Sequence, residues 1–466
     1  MKRLIGPLVL TAILPLANAV FAQTSNVITN QDEIGGVYEG TFKNGLQHGT
    51  GTYRLPNGYE YSGQWVEGEI KGNGIARFVN GSVYEGTFAK GKPEGVGKIT
   101  LSDGSTYEGE WKDGTYNGKG IEISANGVRY EGEFRNGQRH GTGTMHSPGG
   151  YEYSGQWVEG KKHGKAVVTY PDGSSYEGDI QFGERHGQGK LQLSDGLTYV
   201  GSWVNGQIHG TGKLTQSNSD VYEGEFDSGR RQGRGRAEYA NGDVYEGDFS
   251  DDRRNGQGTF TGTDGFVYTG TWVAGQIEGE GRMTYPDGSV YEGQFRADLP
   301  DGKGKTTYPN GSTYEGDWVA GVIEGEGTTT YPNGTVYQGQ FRNALNHGQG
   351  TITFSDGYRY EGQWVDGRRS GQGTATYPDG SVYTGQYANG QREGQGEITM
   401  PSGFKYNGEW KSGAFDGQGT ASYPNGDVYE GTFANGKRQG QGTMRYSTGQ
   451  EASGIWENGA LSQSDG

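Results

Sequence analysis

The sequence predicts an all-β protein: an elongated, single-layer, twisted antiparallel β-meander of about nineteen hairpin repeats, each 23 residues long. Three observations carry this. Glycine and tyrosine are in excess, at 93 and 32 of 466 residues, while hydrophobic residues make up only 30%. That is too little aliphatic mass for several ordinary cores. A Tyr-x-Gly triplet begins at Tyr38 and returns every 23 residues, without insertion or deletion, as far as Tyr429. Within each copy the large residues stand two apart, the period of a strand and not of a helix.

The first 22 residues read as a secretory signal. Lys2 and Arg3 supply its charge, Leu4 to Leu16 its apolar stretch, and Ala17-Asn18-Ala19 or Val20-Phe21-Ala22 a small-x-small cleavage site, with cutting expected after Ala22. The stretch is short for a membrane span of about 20 residues. Residues 23–35 are expected to be a polar linker, 36–457 the repeat array and 458–466 a polar tail. Export implies a periplasmic, cell-surface or secreted protein. The formal charge is −16, and loss of Lys2 and Arg3 with the leader makes it more negative still. Nucleic acid is not an expected partner, because phosphate binding needs a basic face. Cysteine is absent, which excludes disulfides and thiolate chemistry.

The copy starting at Tyr360 illustrates the unit. Tyr360, Gly362 and Trp364 share one strand face, as do Gly371, Gly373, Ala375 and Tyr377 in the second arm. A polar segment around Gly367 joins the arms, and Pro378-Asp379-Gly380 closes the unit as a turn. Glycine weakens most strands. Here it lies on the aromatic face, where it lets a ring lie over the backbone. Stacked hairpins of this kind depend on their neighbours, as in other repeat proteins. The nineteenth copy holds Ala452 in place of the tyrosine but keeps Gly454 and Trp456, as an atypical terminal repeat does.

The pattern Tyr-Glu-Gly-x-Phe/Trp-x-x-Gly-x-x-x-Gly-x-Gly, followed by Tyr-Pro-Asp/Asn-Gly, resembles the MORN repeat (membrane occupation and recognition nexus), in a bacterial exported form. The resemblance covers residues 36 to 457. It implies a single-layer twisted sheet with an aromatic-lined groove, and roles in scaffolding, self-association or association with membrane lipid.

A second period lies inside the first. The residue four places after the tyrosine alternates between Phe and Trp, with one slip at Phe226 and Phe249, and all nine tryptophans fall in this slot. The candidate groove aromatics are Trp65, Trp111, Trp157, Trp203, Trp272, Trp318, Trp364 and Trp410. Nine places after the tyrosine, Trp copies mostly carry a large apolar residue, whereas the others carry Arg, Gln, Asn or Pro. Read as a turn position, this slot makes Ile70, Ile208, Ile277, Ile323 and Phe415 candidate edge contacts for a partner or a second copy, or else lids over the tryptophans.

Catalytic and metal chemistry find little support. His48, His140, His163, His186, His209 and His347 share one slot. Equivalent positions in successive hairpins lie about 9.6 Å apart, too far to share a metal. No cofactor is expected. The Gly-x-Gly of each copy precedes no helix and so makes no phosphate loop. The expected function is a non-catalytic exported scaffold offering a long protein-interaction surface in the cell envelope, with an envelope protein or a second copy as partner. The alternative is a lipid- or glycan-binding module that uses the aromatic groove.

Overall fold

The computed structural model describes residues 28–465; the expected leader lies outside them. All 39 strands among the described residues are antiparallel to their neighbours, and no helix is present among them. The chain forms two compact units, up to Gln232 and from Gly233 onward, the division falling within the strand Arg230–Glu238. In each unit the strands follow chain order in a single layer, as the sequence predicts.

The hairpin around Arg359–Val365 and Arg368–Thr376 shows how the sequence builds it. Val365 pairs with Arg368, so the loop is only Asp366-Gly367, with φ of 49° and 80°. Two residues at positive φ make a type I′ turn, whose twist matches that of the flanking strands. The same two-residue loop recurs in every copy, most often as Asn-Gly. At the other end Gly380 N–H donates to the Tyr377 carbonyl (2.9 Å) and Tyr377 N–H to the Ser381 carbonyl (2.8 Å), while Asp379 Oδ1 accepts from Ser381 N–H (2.8 Å). Pro378 and the left-handed Gly380 (φ 87°) fit this turn. Successive tips are also joined: Gly390 N–H donates to the Arg369 carbonyl of the preceding hairpin (2.9 Å).

The arms are unequal, at seven and nine residues. Gly362 pairs with Gly373 but Trp364 pairs with Arg369, so Gln363 faces Ser370, Gly371 and Gln372 together. This β-bulge turns on Gly371 at φ 61°.

Two expected segments differ from the structure. Ile28–Gln31, expected within the linker, is a strand paired with Val37–Gly40. Asp32 secures it by accepting from the Tyr53 hydroxyl (2.6 Å) and from Gly36 N–H (2.7 Å). Ala460–Ser464, expected as a tail, pairs with Gly454–Glu457 and completes the nineteenth hairpin. Both strands cover a ladder edge that would otherwise be unpaired.

Candidate functional site

The tyrosine that opens each copy is the centre of the packing. From Tyr38 to Tyr429 these rings are 0–2% exposed. Tyr360 lies flat along its own strand. A Cβ on Gly373 would sit 2.4 Å from its hydroxyl oxygen, and one on Gly362 would sit 2.5 Å from the Cα of Gly373. The paired glycines are therefore the bed of the ring. The Tyr360 hydroxyl donates to the Gln363 carbonyl (3.0 Å), and Gln363 Oε1 accepts from Gln372 N–H (3.0 Å). Both backbone groups left over by the bulge are thus satisfied by side chains. The same pair recurs with Glu110, Asp179, Asp317 and Gln386 in the role of Gln363. Burial pushes the tyrosines up, Tyr176 and Tyr360 among them to about 12.

Within each unit, the tyrosines meet the aromatic of their own copy and that of the next edge to face, except around Ile180, where Tyr153 meets only Trp157 and Tyr176 only Trp203. Tyr38 lies 5.1 Å from both Phe42 and Trp65, and Tyr61 lies 5.6 Å from Trp65 and 5.0 Å from Phe88. Offset and edge-on geometry suits ring quadrupoles and adds about 0.5–1.5 kcal/mol per pair beyond burial. The tryptophans then donate to a glycine carbonyl of the preceding hairpin, as Trp410 does to Gly396 (2.9 Å) and Trp364 to Gly350 (3.1 Å). Trp318 Nε1 is buried with no such partner.

The expected aromatic groove is corrected by this packing. Trp65, Trp111, Trp157, Trp203, Trp272, Trp318, Trp364 and Trp410 are all 2–9% exposed. Each indole is covered by its neighbours and has no free face for a ligand. The open groove of the first unit lies on the opposite, polar face. It has a volume of about 700 Å³ and is lined by Lys119, Glu131, Glu133, Thr142, Ser154 and Lys165 among others.

The candidate edge contacts, which the sequence also allowed as lids over the tryptophans, stand in a different position from the one expected. The slot of Ile70, Ile208, Ile277, Ile323 and Phe415 is not a turn. It is the second residue of the second arm, directly opposite the tryptophan, as Ile70 is to Trp65 and Ile277 to Trp272. Two-residue loops are shorter than the spacing suggested, which draws the slot into the strand. Ile70 and Ile277 are buried, Ile208, Ile323 and Phe415 partly so. Phe415 stacks on Tyr406 at 4.0 Å and meets Trp410 at 4.6 Å.

The same slot explains the 46-residue alternation. Its side chain lies between the tyrosine of its own copy and the aromatic of the next. Before a tryptophan it is commonly arginine: Arg185, Arg254, Arg392 and Arg438 sit 4.1–4.4 Å over Trp203, Trp272, Trp410 and Trp456. Their guanidinium groups also donate to turn carbonyls, as Arg392 does to Gly413 (2.7 Å). A cation over an indole is favourable. Before a phenylalanine the slot is usually isoleucine. The two Trp copies with a basic residue in the slot, at Lys162 and Arg369, precede the two copies whose aromatic is replaced, by Ile180 and Tyr387. That coincidence was available in the sequence and marks the slot and the next ring as a contacting pair.

The histidines lie on the second arms and are mostly separate. His209 pairs with Asp227 (3.2 Å) and His347 with Asp366 (3.5 Å). Among the described residues no three of His, Cys, Asp and Glu form a metal-binding group, and no helix is long and apolar enough to cross a membrane.

Comparison with known proteins agrees with the hairpin architecture. The MORN repeat model matches eighteen stretches, from 38–58 to 429–451. Alsin of Rattus norvegicus is 44% identical over 52 residues, 10% of this chain and 3% of alsin, so the chain spans a small part of that relative. Among solved structures, the TCP10 domain of Danio rerio CPAP in complex with a STIL peptide aligns at 18% identity over 57% of this chain and 96% of that one, with a TM-score of 0.22. The TCP domain of Drosophila melanogaster SAS-4, bound to a proline-rich motif of Ana2, aligns at 14% identity over 43% and 90%, with a TM-score of 0.21. Superpositions this loose say nothing about function. The family model, by contrast, spans nearly all the described residues in the register of the hairpins, and the chain belongs to the MORN repeat family.

Proposed function

We propose that this chain is a non-catalytic scaffold, exported by its N-terminal segment, that offers the polar face of its sheet to protein partners in the cell envelope. The observation behind this is the division of labour between the faces. The aromatic face is consumed by internal packing, so the Glu, Gln, Thr and Lys side chains of the other face are what a partner meets. Their regular two-strand repeat suits an extended or repetitive protein surface. The lipid or glycan alternative relied on open tryptophan rows, and those rows are buried.

The test combines three measurements on the processed chain. N-terminal sequencing of protein recovered from the envelope or medium should begin at Gln23. Sedimentation should report whether a second copy is the partner. Crosslinking in whole cells, with photoreactive residues in place of Thr144 or Glu131 on the polar face and Ile277 on the aromatic face, should give protein adducts only from the polar face. Adducts only from the aromatic face, or flotation with liposomes in place of protein adducts, would replace this reading.

A further inference from the structure

One hairpin pair in the first unit departs from the others at three positions together. In every other copy with a tyrosine or its terminal counterpart, the core slot holds Phe, Trp or Tyr; at Ile180 it holds an aliphatic residue. The slot of the preceding copy, opposite Trp157 and bordering the same cavity as Ile180, holds Lys162, the one lysine among these residues. The I′ loop that follows begins with Phe182, at φ 51° and 59% exposed, where all other copies place Asn, Asp, Glu, Lys, Ser or Ala. A bulky residue in the left-handed region is a strained outlier. The ring missing from the core thus reappears two residues later, on the outside.

A notch of about 310 Å³ opens where the ring is missing, bordered by Tyr151, Tyr153, Lys162, Tyr170, Ile180 and Arg185. This is at the small end of ligand-pocket volumes. Its chemistry is specific. Lys162 Nζ lies 4.4 and 4.9 Å above the Tyr151 and Tyr153 rings and donates to the Tyr151 hydroxyl (2.6 Å). Burial lowers the Lys162 ammonium from its usual value, and the charge of Arg139 lowers it further. Arg185 lies 4.3 Å over Trp203 and donates to the Gly206 carbonyl (3.2 Å). Neither cation has a carboxylate partner among the described residues, whereas Arg139 in the preceding hairpin is paired with Glu122 at 2.9 Å. Glu184, on the rim, is exposed. In a chain of net charge −16, two partly buried cations facing one cavity are left without an anion.

We propose that this notch binds a small organic carboxylate carrying one six-membered ring. The ring occupies the space beside Ile180 and Tyr153, and the carboxylate lies between Lys162 and Arg185 with the Tyr151 and Tyr170 hydroxyls at hand. Charge-assisted hydrogen bonds from two cations supply the orientation. The inference does not depend on the scaffold reading, because the notch is on the aromatic side and the proposed partner surface is on the polar side.

The test is titration calorimetry of the processed full-length chain with galacturonate, benzoate and inorganic phosphate in turn. At least one of the two carboxylates should bind at one site with a Kd of about 1 mM or tighter. The double variant Lys162→Ile, Ile180→Phe recreates the Ile208 and Phe226 pair found elsewhere in the array. It should melt no lower than the unaltered chain and lose binding at least tenfold, to within the order of magnitude of one hydrogen-bonded charge. Lys162→Met, which keeps the stem and the notch, should weaken binding about fivefold or more by the same reasoning. Three results overturn the proposal: no saturable binding of either carboxylate, binding of phosphate in preference to both, or carboxylate binding unchanged in the double variant. A failure here leaves the polar-face crosslinks of the scaffold reading untouched, and the reverse also holds.

Discussion

At the residue scale, the repeat is organised by one hydroxyl and two glycines. Tyrosine rather than phenylalanine stands at the head of each copy because the bulge leaves a carbonyl that only a donor on the ring can reach. Tyr61 donates to the Gln64 carbonyl at 3.0 Å. Tyr61→Phe keeps the ring and removes the donor, so the carbonyl loses its protein partner. The expected cost is about 0.5–1.5 kcal/mol, read as a lower denaturation midpoint with an unchanged slope. Gly74→Ala tests the bed beneath the ring. Its Cβ would meet the Tyr61 hydroxyl oxygen at 2.4 Å and ring carbon at 2.5 Å, and overpacking of this kind typically costs about 1–3 kcal/mol, occasionally more. The shared face of Tyr, Gly and Trp was legible from the period of two. The hydroxyl's partner was not, because it depends on the offset at the bulge, which leaves no mark on hydrophobic periodicity. Nor was the covering of the tryptophans legible: a row of exposed rings and a row of interlocked rings share one sequence pattern, and side chains from the next hairpin decide between them.

At the scale of the hairpin, the loop chemistry was readable and its length was not. Asn-Gly and Asp-Gly announce positive φ at two successive residues, yet the sequence reading placed the next slot in the turn. The structure has Asn205-Gly206 and Asp366-Gly367 closing the strands at once, so Ile208 and Arg369 fall on the ladder beside the tryptophans. Phe182 is the loop residue that contradicts the local rule. Its left-handed conformation disfavours a side chain by about 1–2 kcal/mol, a cost that asparagine largely escapes. Phe182→Asn should therefore raise the melting temperature, since the ring is exposed and loses little packing. An unchanged or lower melting temperature would mean that the contacts of Phe182 with Lys161 (5.6 Å) and His163 (5.1 Å) outweigh the strain.

At the scale of the whole molecule, the core is a sum of nearly identical small cells, and their titration adds up. The repeat tyrosines with a resolved shift are all raised by burial, as Tyr153, Tyr199, Tyr268 and Tyr383 are to about 12. In the unfolded chain a tyrosine ionises near 10. A phenol whose folded value is raised contributes stability that is fully present below about pH 10 and is lost as pH rises through the folded value. Many such groups act in the same direction, so the alkaline transition should be steep. On the acid side the sign reverses. Asp179 and Asp317 are held below the usual carboxylate range by hydrogen bonds from Lys165 and Lys303. Their contribution is present above about pH 4 and fades as pH falls through the folded values. Both carboxylates are partly solvated, so that limb is shallow. The expected profile is asymmetric: a broad plateau, a gradual acid decline, and a sharp loss of structure between about pH 10 and 12 that coincides with the tyrosinate absorbance change. Circular dichroism and absorbance followed together in one alkaline titration would check this. Ionisation of most tyrosines near pH 10 with the strand signal intact would mean that the rings are open to water, and the interlocked core described here would be wrong.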